Sequence, residues 1–521
     1  MERGMLVDKE ISSILEGFDN ITARRVIEKI SGLKERMITK EFIAENANKI
    51  REIIDDKNII EKFKVNLNLE VEISREIKVE RKEAVLENVK VLFSHSNATK
   101  KIEPGDFTRY FRVRYSEIKR ILQERKELEN LSSINKLGGQ KQNVSLIGMV
   151  FSKRVSKNKN IILEIEDLTG KIMVLVTKNK PEVYSKAKEV IVDDIVGIKG
   201  VGDKEFIYAN DIIYPDSMLS EKAHIDNDES VAFISDIHVG SNNFLEKNFQ
   251  KFISWINGEV GDEKQREEAR KVKYLLVTGD CVDGVGVFPG QEFLITIKDI
   301  KGQYKKLAEY LSSIRKEVKI ILCPGQHDAV RVAEPQPFIG KEYAKELYDI
   351  DNLILVSNPA LIEIGNNGKK GVRVLMYHGA SLNSFVSEIE SLRIGKAHDN
   401  PSLVVKEMLK RRHLASIHSS VTYIPNEKED VLLIKDIPDI INTADFHRPS
   451  VDLYNNVLII TSSCWQSITP FEEKVGNHPD PCKVPVLNLK TRAIKILDFS
   501  ADEEKGGVEK ENKIVCEVGK S

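Results

Sequence analysis

The sequence predicts a multidomain α+β chain: a small helical N-terminal domain, a small five-stranded β-barrel, and a large layered α/β domain. Three observations carry this expectation. Apolar residues keep helical spacing near the N-terminus, at Ile11, Ile14, Leu15 and Phe18 and again at Val26, Ile27 and Ile30. Residues 142–217 read as three strands, a helix and two more strands. From 230 to 500, apolar strand-like runs alternate with amphipathic segments, and five of the runs end in Asp, Gln or His. The expected boundaries are therefore a helical domain over 1–65, a linker and helix over 66–141, the barrel over 142–217, the large domain over 230–500 and a flexible tail over 501–521.

Composition sets the outer limits. At 521 residues the chain exceeds one ordinary domain. With 41% hydrophobic and 31% charged residues it can bury several cores. A net charge of −2 gives no global basic field, so contact with nucleic acid has to come from local patches or from a partner chain. The five cysteines (Cys281, Cys323, Cys464, Cys482 and Cys516) form no Cys-x-x-Cys, which argues against a zinc ribbon or a disulfide framework and for a reducing cytoplasm. No run approaches the length of a membrane span and no signal-peptide core is visible, so a cytoplasmic protein with no membrane association is expected.

In chain order, Thr39 is a candidate N-cap for a further N-terminal helix. Leu67, Leu69, Val71 and Ile73 alternate with polar residues in a charged surround, which fits either a β-hairpin or a linker over 66–105, punctuated by Pro104-Gly105-Asp106. The run Asp106-Phe107-Thr108-Arg109-Tyr110-Phe111-Arg112-Val113-Arg114-Tyr115 leads into a helix expected over 116–131. Its aromatics can be core anchors among solvated arginines, or the whole run can grip a nucleic-acid backbone. In the barrel, Gly148 permits a sharp bend, Thr169-Gly170 makes a turn, and a helix is expected over 181–187. That order of elements matches an OB-fold, which serves as a single-strand binder or as a subunit platform. The basic loop over 152–160 makes Lys153, Arg154 and Lys157 candidate phosphate contacts, with an ordinary solvated hairpin loop as the alternative. A polar, acidic linker is expected over 216–229.

The chemistry is concentrated in the large domain. A strand over 231–234 runs into Ser235-Asp236-Ile237-His238-Val239-Gly240. Side chains alternate along a strand, so Asp236 and His238 project to one side. The pattern repeats at Thr278-Gly279-Asp280, at Pro324-Gly325-Gln326-His327-Asp328, at Tyr377-His378-Gly379 and at Thr443-Ala444-Asp445-Phe446-His447. Oxygen and imidazole donors together suit a first-row divalent metal. Polar ligands at the carboxyl ends of strands place one site along one edge of a layered sheet.

In this order the five motifs resemble the calcineurin-like metallophosphoesterase superfamily. Longer stretches are similar to one family within it. They are Gly279-Asp280-Cys281-Val282-Asp283-Gly284-Val285-Gly286-Val287-Phe288-Pro289-Gly290-Gln291-Glu292, Pro324-Gly325-Gln326-His327-Asp328-Ala329-Val330-Arg331 with Ala333-Glu334-Pro335-Gln336-Pro337, and Cys464-Trp465-Gln466 with Val484-Pro485-Val486. With the OB-fold and the helical N-terminus, they resemble the small subunits of archaeal family D DNA polymerase (DNA polymerase II).

The resemblance implies a β-sandwich flanked by helices that holds two divalent metal ions, Mn²⁺ or alternatively Mg²⁺, about 3.5–4 Å apart. It assigns Asp236, His238 and His447 to the first metal and Asp280 to both. It assigns Gln326, His378 and Asp445 to the second metal and His327 to the leaving oxygen as acid or electrostatic stabiliser; Arg331, shortly after His327, is a further candidate nucleic-acid contact. It implies a 3′→5′ proofreading exonuclease acting on single-stranded 3′ ends of DNA, in a heterodimer with a large catalytic polymerase subunit. The alternative is a catalytically weakened scaffold of the same polymerase. Two positions depart from the family pattern: Gln326 stands where Gly-Asn-His-Asp has Asn, and Asp445 stands where Gly-His-x-His has its first His. Both departures fall on the second metal, where a carboxylate is the harder ligand.

Overall fold

The computed structural model describes residues 6–7, 37–38, 88–95 and 101–500, apart from 224, 367–369, 427 and 476. It divides into two compact units, Met1–Arg81 and Lys82–Ser521. In the first unit the described residues form a parallel pair, β1 (Leu6–Val7) with β2 (Met37–Ile38). The expected N-terminal helices, the alternating stretch up to residue 87 and the C-terminal tail lie outside the described residues.

The second unit begins with β3 (Val89–Ser94), inside the segment expected to be a hairpin or linker. It is neither. It pairs antiparallel with β13 (Ala360–Ile364) and forms one edge of a sheet of the large domain. Helix α1 spans Pro104–Gln123, starting and ending earlier than the expected 116–131. Pro104 opens the helix instead of breaking the chain, because a first-turn residue has no intrahelical N–H bond to lose. Asp106 then accepts from the Glu103 N–H at 2.8 Å.

The barrel is closed and runs in the order β4 (Gln142–Val155), β5 (Ile161–Asp167), β6 (Gly170–Val176), β8 (Phe206–Ile213), β7 (Ile195–Gly202). Helix α2 (Pro181–Glu189) joins β6 to β7, as an OB-fold requires. Leu146, Val150, Leu163, Ile165, Val174 and Ile198 fill its interior. At Gly148 a Cβ would meet Ile165 Cγ2 at 2.3 Å and Glu166 O at 2.8 Å, so the crossing of β4 and β5 excludes any side chain there. β4 continues through Val155, so the first four residues of the expected basic loop are strand and the rest turns.

The large domain has four layers. One sheet has the order β12 (Leu353–Leu355), β11 (Lys319–Cys323), β10 (Val272–Thr278), β9 (Ser230–Ile234), β18 (Lys483–Asn488), β19 (Ile494–Asp498). The other has the order β16 (Ser450–Tyr454), β17 (Val457–Thr461), β15 (Ile440–Thr443), β14 (Val372–Met376), β13, β3. Val231, Phe233, Leu276 and Ile321 of the first sheet share a core with Ile362, Val374, Ile440 and Ile460 of the second. Helices α3 (Glu246–Ile256) and α5 (Ile300–Ser312) cover the outer face of the first sheet through Phe249, Phe252, Trp255, Tyr304 and Leu307, and α4 (Glu263–Lys271) sits beside them. Helices α6 (Leu382–Glu388), α7 (Glu390–Ile394) and α8 (Ser402–Arg411) cover the second sheet through Phe385, Leu392, Val405 and Met408. Each central strand is buried on both faces, which is why the sequence shows continuous apolar runs there and no alternation.

Two buried ion pairs tie the smaller parts to the large domain. From α1, Arg114 Nε lies 2.6 Å from Asp430 Oδ2, and Tyr110 OH donates to Asp430 Oδ1 at 2.5 Å. His413 Nε2 approaches the same carboxylate at 2.9 Å. The expectation of core aromatics among solvated arginines is therefore corrected at Arg114: its side chain is buried with Tyr110 and Tyr115. From the barrel, Asp194 Oδ1 accepts from Arg411 Nε at 2.9 Å, and Arg411 Nη2 also caps the Glu189 carbonyl at 2.6 Å.

Candidate metal centre

The five motifs converge because each follows a strand and all five strands end on the same side. β9 delivers Asp236 and His238, β10 delivers Asp280, and β11 delivers Gln326 and His327. From the second sheet, β14 delivers His378 and β15 delivers Asp445 and His447. Beyond the strand ends the backbone turns sharply. Asp236, His238, Asp280, Asp445 and His447 have φ of 46°, 52°, 49°, 68° and 56°. Non-glycine residues rarely adopt this left-handed conformation, and a cluster of them marks a site where the surroundings enforce the geometry. Here the enforcement is visible: Asp236 N bonds to Gly279 O at 3.0 Å, His238 N to Asp280 O at 3.1 Å, and Trp465 N to Asp236 O at 2.9 Å. Gly325 completes the fit, because a Cβ there would lie 2.2 Å from Asp280 Oδ1 and 2.8 Å from His378 Nε2.

The side chains face one another across a few ångströms. Asp236 Oδ1 is 3.4 Å from His447 Nε2 and 4.0 Å from His378 Nε2. His378 Nε2 is in turn 3.3 Å from Asp280 Oδ2 and 3.9 Å from Asp445 Oδ1. The imidazoles are held from behind: Nδ1 lies 2.9 Å from Thr278 O in His378, 2.7 Å from Glu472 Oε1 in His447 and 2.7 Å from Asp283 O in His327. His238 Nδ1 lies 3.3 Å from Asp283 Oδ1. An imidazole fixed through Nδ1 by a carboxylate or carbonyl, as in His378 and His447, presents Nε2 as a ligand, whereas His238 Nδ1 makes no hydrogen bond.

The charges also suit a bound cation. Burial pushes the Asp445 carboxyl up to about 6, with His378 opposing and Asp236 and Asp280 adding to the rise. Burial acts the same way on Asp280, yet the neighbouring His378, His327 and His238 rings hold it well below the usual carboxylate range.

These residues fit a divalent metal. Asp236 Oδ1, His238 Nε2, His378 Nε2 and Gln326 Oε1 are buried and hydrogen-bonded to nothing. Unsatisfied buried polar atoms are costly and uncommon, and a bound cation would satisfy these. The donor atoms of Asp236, His238 and His447 lie within 4.8 Å of one another, as do those of Asp236, Asp280 and His378. The two departures from the family pattern touch: Gln326 Nε2 donates to Asp445 Oδ1 at 3.2 Å, which leaves the amide oxygen as the free donor atom.

Known families and proteins match much of the chain. The B-subunit family of DNA polymerases alpha and epsilon matches residues 231–452, and the OB-fold nucleic acid binding domain matches residues 144–205. The DNA polymerase II small subunit of Methanothermobacter thermautotrophicus is 41% identical over 399 residues, covering 76% of this chain and 80% of its own. That of Archaeoglobus fulgidus is 38% identical over 451 residues, covering 85% and 88%. The chain belongs to the DNA polymerase II small-subunit family. The Pyrococcus furiosus member is longer: the match, at 40% identity, spans 75% of this chain and 63% of that one. Among solved structures, a novel archaeal phosphodiesterase aligns with 51% of this chain and 98% of its own at 13% identity, with a TM-score of 0.25.

All seven expected ligand residues and His327 come together in this family member. The expected nucleic-acid contacts do not join them. Lys153 Nζ reaches the Lys188 and Val190 carbonyls at 2.6 and 2.7 Å at the end of α2, while Arg154 and Lys157 are exposed on the barrel. Arg331 Nε donates to the Ala333 and Pro335 carbonyls within the loop that follows His327. Asp283 and Glu472, the carboxylates behind His238 and His447, are absent from the residues that the motifs single out. Asp283 lies inside one of the stretches shared with the family, and its spacing after Gly279-Asp280 is a usable signal. Glu472 comes from α9 (Pro470–Val475), a short helix with no motif around it. Among the described residues, no helix is long and apolar enough to cross a membrane.

Proposed function

We propose that this chain is the 3′→5′ exonuclease subunit of a heterodimeric DNA polymerase, trimming single-stranded 3′ ends alongside a large catalytic subunit. The observation that carries this reading is the convergence of buried, unpartnered donor atoms from Asp236, His238, Gln326 and His378. Asp236, His238 and His447 would hold one divalent ion, Gln326, His378 and Asp445 a second, and Asp280 both. The carboxylates and the amide oxygen favour Mn²⁺, with Mg²⁺ as the alternative. Bound there, such ions would supply an activated water and neutralise charge on the phosphate, so the protein would need no nucleophile of its own.

The chain's own groups position and transfer protons. Asp280 is fixed by the His327 N–H, which donates to its Oδ1 at 2.8 Å. The His327 ring is turned by the Asp283 carbonyl at Nδ1, so Nε2 is the nitrogen able to meet a leaving 3′ oxygen. Its ring centroid lies 4.8 Å from that of His238, against the first metal's ligands.

The test uses the heterodimer, a 3′-labelled single-stranded oligonucleotide and Mn²⁺. Asp280→Ala is expected to slow digestion by more than about a hundredfold, beyond what losing an outer carboxylate does. Equal rates for the two proteins would leave the scaffold role, in which the same fold holds DNA and the large subunit without cutting.

A further inference from the structure

Beside the metal centre stands a wall that its chemistry leaves unused. Residues 284–294 read Gly-Val-Gly-Val-Phe-Pro-Gly-Gln-Glu-Phe-Leu. Phe288 is 39% exposed, Phe293 78%, and Val285, Val287 and Leu294 are exposed with them. Loops of this composition usually bury such residues or collapse onto them.

This one is braced in place. Gln303 clamps Gly284 in both directions, accepting from its N–H at 2.9 Å and donating to its carbonyl at 3.0 Å. Gln291 is fully buried, accepts from the Val287 N–H at 2.9 Å, and donates to Asp283 Oδ2 at 2.9 Å. Gly284 packs so tightly under His327 that a Cβ would lie 2.5 Å from the His327 carbonyl oxygen. The Phe288 ring stands 6.3 Å from the His327 ring, edge to face. The side chain that meets the leaving oxygen in the proposed reaction therefore has an exposed aromatic ring as its neighbour.

We propose that residues 284–294 form a stacking platform for the terminal base of a single-stranded 3′ end, with Phe288 as the contact nearest the scissile phosphate. Three features single out a base. The segment has no Lys or Arg, so it offers no cationic side chain to pair with a phosphate. Aromatic faces hold any base without reading its sequence, as trimming of an arbitrary end requires. Its place against His327 means that whatever covers Phe288 stands beside the group that meets the leaving oxygen in the proposed reaction. A partner protein seated there would block the substrate, whereas a nucleotide would be the substrate. The inference rests on the nuclease reading for its purpose, but its test does not depend on turnover.

The probe is a single-stranded oligonucleotide with 2-aminopurine at its 3′ end, added to the heterodimer in EDTA so that nothing is cut. Binding is expected to quench the fluorophore. Phe288→Leu, which keeps apolar bulk without a ring, should abolish the quench and weaken binding about tenfold. Phe288→Trp should restore both. An otherwise identical oligonucleotide with an abasic 3′ end should bind all three proteins alike. Equal quenching by the Leu variant, or equal wild-type affinity for abasic and normal ends, would overturn the proposal. Loss of the large subunit from the Leu variant with oligonucleotide binding intact would overturn it in favour of a protein interface. Ring-dependent quenching in a heterodimer that digests no DNA in Mn²⁺ would uphold the platform while the nuclease reading fell.

Discussion

Glu472 shows how much a single side chain outside the ligand set can decide. It accepts from Thr469 N–H at 2.8 Å as well as lying against His447 Nδ1, so one carboxylate both starts a helix and aims a ligand. Burial pushes its pKa up, but the hydrogen bond and charge of His447 bring it below the ordinary value. Glu472→Gln keeps the shape and removes the charge. It is expected to weaken Mn²⁺ binding by about 10- to 100-fold while the thermal midpoint of the metal-free protein holds, as read by metal titration and calorimetry. The other departure from expectation at this scale is favourable to the site. Gln326 and Asp445 replace the usual residues together, and the hydrogen bond between them uses the amide that cannot bind metal. The ligands themselves are legible because each closes an apolar run, and a strand end is the one place where such a residue is exposed to a shared edge. Glu472 is not legible, because its role arises from a chain crossing that no local pattern records.

Among the elements, α1 is the one whose sequence misleads most and whose contacts matter most. Pro104-Gly105 reads as punctuation, and Arg114 reads as a solvated charge among aromatics. Folding instead buries the guanidinium against Asp430, with Tyr110 and His413 completing the cluster. Breaking such a pair from one side leaves a bare buried charge, so Arg114→Met is expected to cost about 3–5 kcal/mol at neutral pH in denaturant titration. The pH dependence follows from the same contacts. Burial, then Arg114, hold His413 below its ordinary value of 6.5. Burial opposes the charged form of Asp430, but Arg114 and His413 hold it well below its ordinary 3.8. In both cases the unfolded chain binds the proton more readily, so stability is lost as pH falls, first below about 6.5 and then below about 3.8. In Arg114→Met the second loss is expected to shrink, because Asp430 then keeps only His413 and Tyr110 to favour its ionised form. Urea midpoints measured from pH 7 to pH 3 check both statements.

At the scale of the molecule, the barrel and the layered domain are legible from periodicity alone, since buried parallel strands and a barrel's alternating strands leave different patterns. The attachment of one to the other is not, because it depends on Asp194 meeting Arg411 across more than two hundred residues of chain. Nor is β3, six residues in a charged stretch whose partner strand lies far downstream. That strand has a consequence for how far the molecule can be cut back. β13 is buried at every position, and β3 covers its free edge with a strand that carries Lys90 outward. A fragment starting at residue 230 would keep every ligand but present a bare row of amides and carbonyls on an apolar strand, the template for stacking copy upon copy. Light scattering is expected to find that fragment polymerising, and one from 88 to 500 staying monodisperse. The seed of a fibre is thus built into the domain, and a short strand borrowed from ahead of the barrel keeps it shut.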